Sequence, residues 1–571
     1  MHQSEPAVRT RRDLPPFLRH LATLLTCGGD KACMAAQVVA ITGIVEERGV
    51  KALVVTQNAA ATQSTPFFLK GHKVAKSNET FDAIISGDAN VPLNQHIVDL
   101  LGLFSSCDRT DASQIMSVAT FVTMRSMYKL FARLTSDKQT WKIRVAEILK
   151  DWKPTESDES FEPFWVKKPK WAIDMGMEEA MMEKRGEGDS EEWLFSTKSI
   201  GVWANTLGTL LSLLESHIKE YKGFPQDLRE QPMKPSTKQL KKDVQETLYL
   251  INSNAVSLHR FLTTHVQVVK KILAQKSIEH TFMSQTTMEF ERIHVIEDLK
   301  NKWEEELDNP TGKLDMGDEM DDEHVELQPE DKETEGQRIY RYLQTIAAWH
   351  AGIATLLLPK YESILAGVSV GLVEVAGRKT DLMNRDEFAT EYLARTTTAT
   401  SDDEVEIRKI FASLTPTWFT GTIHAEATLM GLLTYFSHPE TTSNYIGDMD
   451  ADMLRTLFEP VLSMTTTPTI GVGKKCCWCC YKLAQLLKAR KQEILLPGTH
   501  GVFYAWSPPR VGVDIQVLKM MERELWEKLE KAVTDRLAQI PMVKAHSRQS
   551  SGSSTDVEFK WPVHKIQNVR K

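Results

Sequence analysis

The chain has 571 residues, 42% apolar and 26% charged, with a formal net charge of -8, the composition of a globular protein with room for about two to four domains. A net negative charge excludes a general attraction to nucleic acid or to an acidic membrane and leaves only a localised basic face for such contacts. No run approaches the roughly 18 to 20 apolar residues of a spanning helix, and the basic start MHQSEPAVRTRRDLPPFLRH leads into no apolar core, so the expectation is an intracellular protein, cytoplasmic or nuclear, with no membrane partner.

In chain order, the first regular signal is QVVAITGIVEERGVKALVVTQNA. Its two β-rich runs around a Glu-Arg-Gly turn predict a hairpin over 37–58, within an N-terminal segment 1–60. From 61 to 303 the expectation is a helical region, because stretches such as ASQIMSVATFVTMRSMYKLFARL and SIGVWANTLGTLLSLLESHIKEY repeat apolar residues every three or four positions. Polar, Pro-bearing breaks punctuate it at 152–163 and 224–237. Residues 304–337 are dense in Asp and Glu and nearly free of large apolar groups, which predicts a disordered acidic loop. Helical periodicity resumes over 338–395.

The run TTTATSDDEVEIRKIF then reads as a linker entering a helix, with Ser401 and Glu404 at capping-box spacing. A domain over 400–545 follows, and a small, polar, flexible tail over 546–571. The fold class expected is α+β: a large all-helical region plus a C-terminal α/β domain.

Seven cysteines are too sparse for a disulfide framework, and four of them fall between 476 and 480, as metal or redox chemistry places them. Cys27, Cys33 and Cys107 are expected to be plain buried thiols. Upstream, TGTIHAEATLMGLLTYF puts His424 and Glu426 in the first turn of an apolar helix, where a histidine can ligate a metal while the glutamate stays free to carry protons. Downstream, TTTPTIGVGKKCCWCCYKLAQLLKAR reads as strand, turn, cysteines and helix. Thiolates at a helix N-terminus are favoured by its free N–H groups and dipole. One histidine and two cysteines leave a fourth zinc position open, the mark of a catalytic site. H-x-E followed by C-x-x-C is also the deaminase pattern, although Cys476, not proline, precedes Cys477. Both Cys476 with Cys479 and Cys477 with Cys480 have the required spacing.

The segments IHAEATLM, IGVGKKCCWCC and GTHGVFYAWSPP resemble successive blocks of the OTT_1508-like deaminases, a largely fungal branch of the cytidine deaminase-like superfamily. The resemblance covers roughly 415–510. It implies a cytidine deaminase-like three-layer α/β sandwich, with His424, Cys477 and Cys480 as zinc ligands and Glu426 as proton shuttle to a zinc-bound hydroxide. The implied substrate is a nucleobase, in a free nucleotide or in nucleic acid. Such a fold needs a hairpin before the H-x-E helix. The early hairpin is the candidate, which makes the helical region an insertion and Asn58 similar to the substrate-contacting asparagine of cytidine deaminases.

Lys474, Lys475 and Trp506 are further candidate substrate contacts, and the helical region or acidic loop is a candidate surface for a protein partner. His500 reads as a turn residue. Two other functions fit parts of the pattern. One is a catalytically inactive, zinc-stabilised interaction protein; the other is a C-x-x-C thiol-disulfide oxidoreductase, which leaves His424 and Glu426 unused.

Overall fold

The computed structural model describes residues 14–27, 38–46, 49–58, 60–62, 67–169, 182–230, 238–285, 334–362, 368–378, 383–396, 401–413, 418–419, 421–437, 448–463, 467–499, 503–504 and 506–549. Residues 304–333 of the expected acidic loop, 550–571 of the expected tail, Cys33 and His500 lie outside them; 335–337 and 546–549, expected in that loop and that tail, are instead helical. The chain divides into two compact units, one of residues 1–34, 47–49 and 74–368, the other of 35–46, 50–73 and 369–571. Among the described residues no helix is long and apolar enough to cross a membrane.

The first unit is mainly helical. Its principal helices are α1 (Leu14–Leu25), α2 (Leu93–Ser106), α3 (Ala112–Leu134), α4 (Ile200–Gly223), α5 (Lys238–Thr264) and α6 (Glu335–Leu356). On α4, Trp203, Leu207, Leu211, Leu214 and Ile218 recur at helical spacing and are buried, which turns one stripe of the helix to the core. Thr334 and Gln337 close a capping box at the start of α6, satisfying two otherwise free backbone donors.

Ion pairs hold the interior. Arg144 bridges Asp137 at 2.8 Å and Glu215 at 2.6 Å, and Arg125 meets Asp99 at 2.6 Å; loss of one partner would strand a buried charge. The expectation of an all-helical region over 61–303 needs correction here. Phe164–Lys167, Lys184–Arg185 and Glu192–Phe195 form a small antiparallel sheet. These strands are too short for their alternation to stand out from helical spacing.

The second unit is mixed. Its strands are β1 (Val39–Glu46), β2 (Gly49–Gln57), β3 (Ala60–Thr62), β4 (Phe68–Lys73), β5 (Ser369–Arg378), β6 (Met383–Asn384), β7 (Trp418–Phe419), β8 (Thr422–Ile423), β9 (Asp448–Met449), β10 (Ile470–Val472) and β11 (Trp506–Ser507). Its helices are α7 (Arg385–Arg395), α8 (Ser401–Ala412), α9 (Ala425–Ser437), α10 (Ala451–Leu462), α11 (Trp478–Ala489) and α12 (Ile515–Gln549). The main sheet runs β9-β4-β5-β2-β1-β10, with β3 also on β5. The two runs of the expected early hairpin are therefore neighbours in the sheet that carries β10, the strand leading to the cysteines. Thr42 ties β1 to that strand, its hydroxyl donating to the Thr469 carbonyl at 2.9 Å.

β4 and β5 correct two further expectations of helix, since they lie within 61–303 and 338–395. In β5, SVGLVEVAGR buries the consecutive residues Leu372 and Val373. A strand covered on both faces loses the two-residue alternation that would announce it, and its valines are the remaining signal. Between α9 and β10 the chain adds the helix α10.

The register along β5 changes once. Thr56 pairs with Val373, and Ala60 with Ala376, a shift of one residue between β2 and β3. Asn58 lies at the end of β2, next to this shift, its N–H donating to the Val38 carbonyl at 3.0 Å.

α9 packs on β1 and β10 and against α10 and α11, with every residue from Ala425 to Thr434 buried. Close approach to this helix needs glycine. Gly512 has φ +75°, and a Cβ built there would fall 1.7 Å from the Gly431 carbonyl oxygen. Gly512→Ala should therefore destabilise the protein by roughly 1–3 kcal/mol, read as a lowered denaturant midpoint; an unchanged midpoint would contradict the packing of the 511–513 segment on α9.

Candidate metal centre

Two helix N-termini build the site. β8 ends at Ile423, and His424 stands at the start of α9, its carbonyl accepting the Thr428 N–H at 3.0 Å. The Oδ1 of Asn58, at the end of β2, accepts the Ala425 N–H at 2.8 Å. This bond gives a partner to a helix-terminal donor that would otherwise be buried without one. β8 is held in parallel pairing by β11, Thr422 opposite Trp506.

β10 delivers the cysteines. Cys477 is the N-cap of α11, its sulfur accepting the Cys480 N–H at 3.4 Å. Cys476 is fixed from outside the helix: its N–H donates to the Gly498 carbonyl at 2.9 Å, and the Thr499 hydroxyl donates to its carbonyl at 3.0 Å. α11 is anchored on α12 by Lys482 and Glu524 at 2.8 Å.

These elements bring His424 Nδ1 to 3.4 Å from the Cys477 sulfur and 3.5 Å from the Cys480 sulfur. His424, Cys477 and Cys480 are the group of potential metal ligands among the described residues, with donor atoms within 4.8 Å of one another. Cys476 and Cys479 fall outside that group, as does Glu426. A nitrogen and two sulfurs at this separation match the ligand types of tetrahedral zinc. The structure thus gathers His424 with the 477/480 pair and not with the 476/479 pair.

The electrostatics separate the four cysteines. Hydrogen bonds from the Cys479 and Cys480 thiols, then the His424 ring, pull the Cys477 thiol well below its usual pKa. Burial pushes Cys480 up, and Cys477 adds to that. Burial and the Glu426 carboxylate raise Cys476, which keeps it a neutral buried thiol. Burial works against protonation of His424, but the Cys477 sulfur and Glu426 outweigh it and the net shift is upward.

Glu426 sits in the first turn of α9, 4% exposed. Burial raises its pKa. Its Oε2 is buried and takes no hydrogen bond among the described residues. An acceptor left unpaired in a protein interior is uncommon, and here it stands beside a metal-ligand set, which fits a polar occupant of that set.

The other expected contacts distribute unevenly. Asn58 is brought to the start of α9, where its side-chain oxygen serves the helix backbone. Lys474 is exposed, its Nζ 5.0 Å above the Tyr504 ring, and Lys475 is half-buried. Trp506 is half-buried, and its indole N–H is buried with no acceptor among the described residues. The sequence reading missed Trp478 and Lys528. Trp478 follows Cys477 and stacks on Phe503, and the Lys528 Nζ lies 5.1 Å over its ring. Only the packing of α12 on α11 joins Lys528 to the site, so no local pattern announces it.

Compared with known proteins, residues 423–510 match the OTT_1508-like deaminase family. No curated protein and no solved structure matches the chain. Metal content separates the cysteines directly: Cys477→Ala and Cys480→Ala should purify without stoichiometric zinc, whereas Cys479→Ala should retain it. Elemental analysis of the three variants reads this, and zinc retained by Cys480→Ala would contradict the assignment of the pair.

Proposed function

Starting from residues 423–510 as a segment of the OTT_1508-like deaminase family, we propose that the protein is a zinc-dependent hydrolytic deaminase of a nucleobase. The second unit would be its cytidine deaminase-like sandwich, completed by the early β1–β2 pair, with the helical unit inserted between β4 and β5. The observation that carries the reading is the buried, unpaired carboxylate oxygen of Glu426 beside the His424, Cys477 and Cys480 donors. A structural zinc site has no need of an unligated carboxylate next to its ligands.

His424, Cys477 and Cys480 would hold the ion, which when bound lowers the pKa of water in the remaining coordination position towards neutrality. The chain's own part is proton transfer. The Glu426 carboxylate takes a proton from the attacking water as the new C–O bond forms at the amidine-like ring carbon. It passes that proton to the ring nitrogen. The second water proton follows the same route to the exocyclic amine, the C–N bond breaks, and ammonia leaves. Burial favours the protonated form of Glu426, which suits a group that must hold a proton between the two halves of the reaction. The orientation of the carboxylate is fixed by the first turn of α9, and Asn58 holds that turn in place through the Ala425 N–H.

Glu426→Gln keeps the volume and removes the proton carrier. Ammonia release should fall by roughly 10²- to 10⁴-fold while zinc content and fold are retained. An active, zinc-loaded Glu426→Gln variant would exclude this role for the residue; loss of zinc along with activity would place Glu426 among the ligands instead.

A further inference from the structure

Beside the donor set runs a strip of aromatic rings topped by ammonium groups. Trp478, next in the chain after the ligand Cys477, stacks on Phe503 with ring centroids 4.8 Å apart and planes tilted by 31°. Phe503 is 48% exposed. It spends one face on Trp478 and leaves the rest of an apolar ring in water, at a cost that packing alone does not explain. The Lys528 Nζ stands 5.1 Å from the Trp478 ring centre, and the Lys474 Nζ 5.0 Å from that of Tyr504.

Nearby cations are otherwise engaged. Lys482 is paired with Glu524 and Lys488 with Glu493, each at 2.8 Å. The lysines of α11 are thus both paired with carboxylates, whereas Lys474 and Lys528 stand over aromatic rings.

Aromatic faces interleaved with lysines match the chemistry of a polynucleotide strand, whose bases present π-faces and whose phosphates carry the charge. A free nucleotide has one base, and deamination requires that base at the ligands. Only a neighbouring residue of a polymer supplies a second base to the rings outside. A duplex keeps its bases stacked and out of reach. Resting on the deaminase reading of the centre, we propose that Trp478, Phe503 and Tyr504, with Lys474 and Lys528, form a platform for single-stranded nucleic acid. A base flanking the target stacks on Phe503, and the two lysines meet backbone phosphates.

Fluorescence anisotropy with the purified, zinc-loaded full chain tests this without relying on turnover. The probes are labelled single-stranded DNA and RNA of about 12 nucleotides, within the span of one such binding site, with mononucleotides as competitors. The oligonucleotide should bind at least roughly tenfold tighter than any mononucleotide, the margin expected from one added stacked base. Phe503→Ala should weaken it by roughly 5- to 150-fold, and Phe503→Tyr should restore binding. Lys474→Gln should weaken all sequences alike and reduce the salt dependence by about one phosphate contact.

Zinc content should be unchanged in each variant, which separates loss of the platform from loss of the fold. Equal affinity for oligonucleotide and mononucleotide, or indifference to Phe503→Ala, would overturn the platform. If Glu426-dependent ammonia release from free nucleosides persisted in that case, the deaminase reading would stand alone. Phe503-dependent binding of the strand without ammonia release from any nucleobase would retain the platform and remove the deaminase reading.

Discussion

The second unit depends on the meeting of two helix N-termini. His424 at the start of α9 and the Cys477–Cys480 turn at the start of α11 lie more than fifty residues apart in sequence, yet His424 Nδ1 reaches both sulfurs at 3.4 and 3.5 Å. Both termini present the positive ends of their dipoles, an opposition that thiolate charge at Cys477 offsets. The supporting structure follows from that need. β10 and β1 fix where the cysteines emerge, β8 and β11 fix His424, and Asn58 at the end of β2 supplies a side-chain oxygen to the backbone N–H of Ala425.

Glu426 adds a second constraint. Burial of a carboxylate with one oxygen unpaired works against folding. Cys476 is itself held neutral by burial and by that carboxylate. Departures of this kind concentrate where chemistry needs a group out of its comfortable state. The extra cysteines then have a simple place: Cys476 is a buried backbone anchor held by Gly498 and Thr499, and Cys479 a neighbour whose thiol leans on the Cys477 sulfur.

Much of the site was legible because its residue types are rare in combination and sit at helix starts. H-x-E ahead of an apolar helix and C-x-x-C after a strand and turn are local patterns, and local patterns survive in a sequence. Which of two overlapping C-x-x-C pairs faces His424 is a question of helix rotation, answered here by the donor distances. The early β-rich runs were visible as strands, while their place in the main sheet is long-range information: β1 meets β10 across more than four hundred residues. β5 was read as helix because Leu372 and Val373, adjacent and both buried, hide its alternation. Lys528 was invisible because it reaches Trp478 only through α12.

Zinc K-edge absorption of the purified protein tests the central claim most directly, because it reports the ligand set without requiring a substrate. The account predicts two sulfur neighbours at about 2.3 Å and light-atom neighbours at about 2.0–2.1 Å, one a histidine nitrogen and one from solvent, and loss of the zinc signal itself in His424→Ala. A shell of three or four sulfurs, or well-folded protein that carries no metal and takes up none, would contradict an open catalytic centre built on His424, Cys477 and Cys480.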